Sequence, residues 1–219
     1  MSRPAQALVP VPFLLLSVVP LAAGALRLLQ LVGGPALMPA DDRFTGLPVA
    51  LVAHILGAAT YAVLGAFQLA PRLRRRHLTW HRRAGRVAAI AGLVVAGSAL
   101  WLTLGYAPQP GTGGLLFGFR LVFASAMVGA LVIGVRAVRV GDLAAHRAWM
   151  IRAYAIGLGA GTQVFTEGVA EAALGTGTLV GDLAKGAGWA INLLVAEWAI
   201  RRPAVRQHSR QHTQQGAPA

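Results

Sequence analysis

Four ionisable side chains fall inside long apolar runs: Arg27, His54, Arg120 and Glu167. A charge at the centre of a bilayer costs about 2.5–3.5 kcal/mol even on the mildest scales, so such residues mark a ligand path, a proton site or a buried ion pair. Counted at 1.5 Å per residue from the outer ends of their runs, all four lie roughly 7–11 Å below the outer boundary. Gln163, Glu167 and Glu171 recur every four residues and share one helix face. His54, Tyr61 and Gln68 recur every seven, again on one face. His54, Tyr61, Arg120, Gln163 and Glu167 thus define a candidate pocket, open to the outer face, for a small anionic or protonatable ligand. The competing structural reading pairs Arg120 with Glu167 as a buried lock on helix register. Arg27 then snorkels to the outer headgroups, and Glu171 sits at the surface.

A second constellation is basic. It comprises His81, Arg82 and Arg86 in one loop region, and Asp142, His146, Arg147 and Arg152 in another. Each histidine stands just before a helix that re-enters the membrane, so the two match in depth. Paired histidines on separate membrane helices can hold b-type haem, with Arg82, Arg86, Arg147 and Arg152 near the propionates. Against haem, both rings lie at or beyond the hydrocarbon edge. His77 and His81 have i, i+4 spacing, but seven arginines and no carboxylate lie between positions 72 and 86. That field repels a cation, and no metal site is assigned. Thr79 is expected to N-cap the third span and Asp142 the fifth, with Asp142 also orienting the His146 ring. Trp80 and Trp149 suit the interfacial aromatic belt. Glu197 should pair with a rim arginine, Arg86 or Arg152.

The elements that must position these residues are membrane helices. The 219-residue chain is 56% hydrophobic and 12% charged, against about 25% charged residues in a soluble domain, which excludes an ordinary cytosolic globule. It has no cysteine, so thiol enzymes, Fe–S proteins and disulfide-stapled folds are excluded too. Six apolar stretches approach the ~20 residues needed to span a bilayer: 11–32, 47–70, 87–106, 115–135, 153–174 and 179–200. Their Ala, Leu, Val and Gly content is helical rather than alternating, and lipid demands that backbone groups bond within their own segment. Asp182 and Lys185 interrupt the outer end of the sixth. The predicted fold is all-α: a six-helix transmembrane domain over residues 1–206, core 47–174, with a disordered polar tail at 207–219.

With both termini cytoplasmic, only Arg27, Arg43, Arg120 and Lys185 of the twenty basic residues face outward, as the positive-inside bias requires. The net charge of +13 then lines the inner rim against anionic headgroups and calls for no nucleic-acid partner. Arg3, an apolar run and Ala23-Gly24-Ala25 also resemble a signal peptide, but apolar residues continue through Val32, which favours retention as a span. Ala153, Gly157 and Gly161 form a small-residue ladder, as do Ala53 and Gly57. These favour close packing within the chain over a homodimer seam.

Two blocks carry a family resemblance. Gly65-Ala66-Phe67-Gln68, Arg72-Leu73-Arg74, His81-Arg82 and Gly85-Arg86 form the first. Arg139-Val140-Gly141-Asp142 and the run from His146 to Tyr154 form the second. Together they resemble the bacterial membrane-protein family DUF2306, over roughly residues 54–171. The resemblance implies a multi-pass inner-membrane protein and supplies no catalytic residues. No nucleophile–base pair, Walker loop or zinc spacing is present, so an enzyme is disfavoured. Three readings stand: ligand binding or transport in the outer pocket, a lipid-interacting scaffold, and a haem-bearing electron carrier on His81 and His146.

Overall fold

The computed structural model describes residues 9–44 and 48–215, with side chains up to residue 202. Eight helices are found among the described residues: α1 (Pro10–Leu31), α2 (Val49–Gln68), α3 (Pro71–Arg76), α4 (Leu78–Gly105), α5 (Gly114–Arg139), α6 (Leu143–Gly157), α7 (Gly159–Leu174) and α8 (Thr178–Gln215). Gly141 and Gly175 follow α5 and α7 at φ +84° and +78°, left-handed conformations that strain any residue with a β-carbon. α1, α2, α4, α5 and the stretch Thr178–Arg202 of α8 are long and apolar enough to cross a membrane. The polypeptide is therefore polytopic. Arg3 lies outside the described residues, as does Leu47, where the second span was expected to begin.

The expected span 153–174 is not one helix. α6 starts ten residues earlier, at Leu143, and ends at Gly157, and α7 starts at Gly159. Leu158 stands between them at ψ −3°, and its carbonyl accepts the Gly161 N–H at 3.0 Å, a three-residue step of 3₁₀ type. The cause lies in the glycines. A β-carbon on Gly157 would sit 2.7 Å from Tyr61 Cε1, one on Gly159 would enter the Trp189 indole, and one on Gly161 would meet the Leu16 carbonyl. Close approach of three neighbours demands glycine, and glycine in turn weakens the helix by about 1 kcal/mol per residue. The small-residue ladder thus serves packing within the chain.

The third span also differs at its start. α4 begins at Leu78 rather than Val87, so His81, Arg82 and Arg86 ride on its first turns. His77 is the junction between α3 and α4, with φ −133° and no side-chain cap; Thr79 is already inside the helix and caps nothing. Asp142 does cap α6, accepting the Ala145 N–H at 2.9 Å. α8 runs on to Gln215, through much of the segment expected to be a disordered tail; residues 216–219 lie outside the described residues.

The closest helix pairs are α2 with α4, α5 with α6, and α7 with α8. The core gathers Tyr61, Met127, Leu131, Tyr154, Ile156 and Leu158 over a bed of alanines. α1 joins through Phe13, whose ring stands edge-on to Tyr154 at 5.8 Å. Tyr154 fills the space that a side chain at Gly65 would occupy, and its hydroxyl donates to the Ala62 carbonyl at 2.8 Å.

Candidate functional site

Polar groups collect at both ends of the bundle. At the end opposite the arginine-rich loops, His54 Nδ1 lies 3.1 Å from Ser98 Oγ and 3.2 Å from the Val95 carbonyl. Ser98 donates its own proton to the Val94 carbonyl at 2.6 Å, so its oxygen is left to accept from His54. The imidazole proton therefore sits on Nδ1, and Nε2 keeps its lone pair. Arg120, half-buried on α5, makes no hydrogen bond or ion pair among the described residues. It is within electrostatic reach of His54, Arg43 and Asp182.

The carboxylates of this end are engaged elsewhere. Glu167 pairs with Lys185, not with Arg120, and the Gln163 amide donates to the Lys185 carbonyl at 3.1 Å. Asp182 is 2% exposed and caps α5, taking the Gly113 N–H on both oxygens and the Leu116 N–H on Oδ2, each at 3.1 Å. Backbone amides at a helix start suit a carboxylate, which is why a buried charge is tolerated there. In the connection after α1, Arg43 grips Asp41 with two bonds, Nε to Oδ1 at 2.7 Å and Nη2 to Oδ2 at 2.6 Å. The hydrogen bond from Arg43 holds the Asp41 carboxyl below the usual carboxylate range, and the same contact raises Arg43. Next to this pair lies a cavity of about 360 Å³ lined by Arg27, Gln30, Asp41, Asp42, Phe44 and Leu51. Arg27 donates to Gln30 at 2.9 Å.

The five residues read as one pocket thus fall into separate settings. Gln163 and Glu167 join Lys185 on the α7–α8 seam. Tyr61 is buried in the core, its ring 5.7 Å from that of Tyr154. His54 is held by α4, and Arg120 reaches it electrostatically from α5. Sequence reasoning missed Lys185 and Asp182, which looked like defects in the last span. Their signal was spacing: three residues apart, they share one helical face, each aimed at a different partner element.

The seam between α7 and α8 carries a further polar clamp. Thr162 donates to Asn192 Oδ1 at 2.8 Å, and Asn192 Nδ2 donates to the Ala155 carbonyl at 3.1 Å. One side chain on α8 thereby holds both sides of the Leu158 break.

At the arginine-rich end, the Gln68 amide faces His81 and Gly85. Its orientation follows from its neighbours: oxygen toward the Gly85 N–H at 3.3 Å, nitrogen toward the His81 carbonyl at 3.2 Å and His81 Nδ1 at 2.6 Å. His146 Nδ1 donates to the Gly134 carbonyl at 2.8 Å, so α5 rather than Asp142 orients this ring. Arg152 takes Glu197 as expected, at 2.5 and 3.1 Å, with its guanidinium 4.6 Å above the Trp149 ring. Arg82, Arg86 and Arg147 are exposed.

Apolar helices long enough to cross a bilayer, and buried polar atoms that all find partners among the described residues, are the features of a multi-pass helical membrane protein. The chain belongs to the family described as "Predicted membrane protein (DUF2306)", whose pattern matches residues 51–200. No curated protein and no solved structure matches it.

Proposed function

We propose that this inner-membrane protein binds a small anionic or protonatable ligand at Arg120 in its outer half. The observation behind this reading is an embedded guanidinium with no carboxylate in hydrogen-bond or ion-pair contact among the described residues: Asp182 acts on it only at a distance, and Glu167, Asp182, Glu197 and Asp41 each hold another group. An unpaired charge at that depth needs a counter-ion or water. His54 Nε2, a lone pair within its field, adds an acceptor for a ligand that carries a proton. Gln163 and Glu167, held to Lys185 on the α7–α8 seam, and Tyr61, buried in the core, stand apart from this site. In the full reading α6 and α7 cross together as one bent span. That makes six crossings, with both termini cytoplasmic and the arginine rim set against anionic headgroups. Transport would require a homodimer, since six helices are few for an alternating-access carrier.

The scaffold reading has its own support, because no buried side-chain polar atom among the described residues lacks a partner. The two readings separate on thermal stability of the detergent-purified protein, titrated with acetate, bicarbonate and phosphate. A ligand at about a hundred times its dissociation constant stabilises by about 2.7 kcal/mol, and Arg120→Gln abolishes that gain. No response of the wild type to any of these anions, or an equal response in Arg120→Gln, rejects the ligand reading in favour of the scaffold.

A further inference from the structure

The cavity beside the Asp41–Arg43 pair lies between the last turns of α1 and the first turn of α2, and Arg120 is not among its walls. One wall is Arg27. Its Nη1 donates to Gln30 Oε1 at 2.9 Å, and Gln30 Nε2 donates in turn to the Met38 carbonyl at 3.2 Å. The amide is thereby fixed with its oxygen toward the guanidinium, and the α1–α2 connection holds Arg27 in place through it. A guanidinium has five N–H donors, and this contact uses one. Gln30 is neutral, so Arg27 has no counter-charge in contact among the described residues. Asp42 supplies the opposite sign. It is exposed and makes neither a hydrogen bond nor an ion pair among the described residues, whereas its neighbour Asp41 is engaged by Arg43 through two bonds. Leu31, Ala40, Phe44 and Leu51 make the remaining walls apolar.

This set of walls selects a ligand by charge balance. Arg43 and Asp41 cancel each other, which leaves one positive and one negative group on the same small cavity. A simple anion would satisfy Arg27 but sit beside the Asp42 carboxylate, and a simple cation would meet the reverse conflict. We propose that the cavity binds a zwitterion, with an oxyanion on the Arg27 guanidinium and an ammonium donating to the Asp42 carboxylate. A planar guanidinium takes carboxylate and phosphate alike. The volume stands at the lower end of the ~300–1,000 Å³ usual for ligand sites, which suits a free amino acid or a phosphoethanolamine headgroup. Both present the same chemistry, an oxyanion and an N–H donor on one short chain. A trimethylated head such as that of choline has no N–H to give Asp42. The site goes beyond the ligand reading at Arg120 and does not depend on it.

The test follows thermal unfolding of the full-length protein in detergent against L-alanine and against its two halves, propionate and ethylammonium, at equal ionic strength. We expect L-alanine to protect at a concentration roughly tenfold below that of either half, the ratio set by one charge-assisted hydrogen bond. Asp42→Asn, a change at an exposed residue, removes that advantage, as does Arg27→Gln; Arg139→Ala, at the arginine-rich end, keeps it. Protection by propionate that survives in Arg27→Gln belongs to the Arg120 reading, so the two proposals fail separately. A second arm places the protein in nanodiscs of phosphatidylcholine doped with either phosphatidylethanolamine or phosphatidylglycerol. Lipids retained on ejection are identified by native mass spectrometry. Phosphatidylethanolamine retained roughly tenfold over phosphatidylglycerol, with the excess lost in Asp42→Asn, assigns a lipid headgroup. A response confined to L-alanine assigns a soluble ligand, and either arm supports the site. Wild-type protein that discriminates in neither arm overturns it, without need of any variant, and so does a preference that Asp42→Asn leaves intact. Arg27 then serves only as a snorkelling residue.

Discussion

At the scale of single residues, the sharpest constraints come from rings set against missing side chains. Gly65 belongs to a block that carried the family resemblance, yet its reason became visible only in three dimensions: the Tyr154 ring lies where its β-carbon would be. Gly65→Ala should destabilise the bundle by about 1–3 kcal/mol, the range of core overpacking, as read by thermal unfolding in detergent. The Asp41–Arg43 pair gives a second residue-level expectation. The carboxyl is depressed in the folded state, so its contribution is complete above the ordinary carboxylate value of about 3.9 and is lost as pH falls through the lower, folded value. Both side chains remain partly exposed, at 19% each, so the pair contributes no more than about 1 kcal/mol. Comparing acid unfolding of wild type and Asp41→Asn checks this: the two should differ at neutral pH and converge at the acid end. The partner of Glu167 was not legible in the sequence. Arg120 and Lys185 stand at similar depth by residue counting, and only helix rotation decides which one reaches the carboxylate.

At the scale of elements, apolar run length was a sufficient guide to α1, α2 and α5, because nothing but a helix satisfies a backbone in lipid. It failed where composition and geometry part company. Residues 153–174 read as a continuous span since glycine and alanine are as apolar as a span requires, but hydropathy is blind to the three neighbours that press on Gly157, Gly159 and Gly161. It also missed the early start of α4, because arginines on a helix that projects past the lipid carry no apolar signal. The break at Leu158 is bridged by Asn192, which supplies a donor to the Ala155 carbonyl and an acceptor to Thr162. Interhelical hydrogen bonds in membranes average about 0.6 kcal/mol and reach about 1.7. Asn192→Leu should therefore lower stability by about 1–2 kcal/mol, and hydrogen exchange of the amides around Leu158 should rise more than that of α2. Uniform exchange across the bundle would deny the clamp its local role.

At the scale of the whole molecule, the α6–α7 pair sets the parity of the fold. Five crossings place the termini on opposite sides, and six place them together. The absence of cysteine makes the test clean, since any thiol introduced is the only one. Under the six-span reading, Thr176→Cys is labelled in intact cells by an impermeant maleimide. Arg76→Cys and Val140→Cys are labelled only after permeabilisation. Labelling of Val140→Cys and protection of Thr176→Cys would reverse the arrangement. The class of the molecule was legible from composition alone. The division of its polar residues between a charged seam, a histidine held by α4 and an arginine without a carboxylate was not, because that division depends on helix azimuth.

The helices differ in length, and this bears on where the protein can reside. α2 has 20 residues and a length of about 30 Å, close to the hydrocarbon depth of an average membrane, whereas α4 has 28 and measures about 42 Å. The surplus is the stub that carries His81, Arg82 and Arg86. A thicker bilayer would draw that stub toward the acyl chains and make its guanidinium groups snorkel; a thinner one would lift it clear of the headgroups. Lipid chain length thereby becomes a dial on this protein, acting on its basic collar before it reaches the alanine-lined interior.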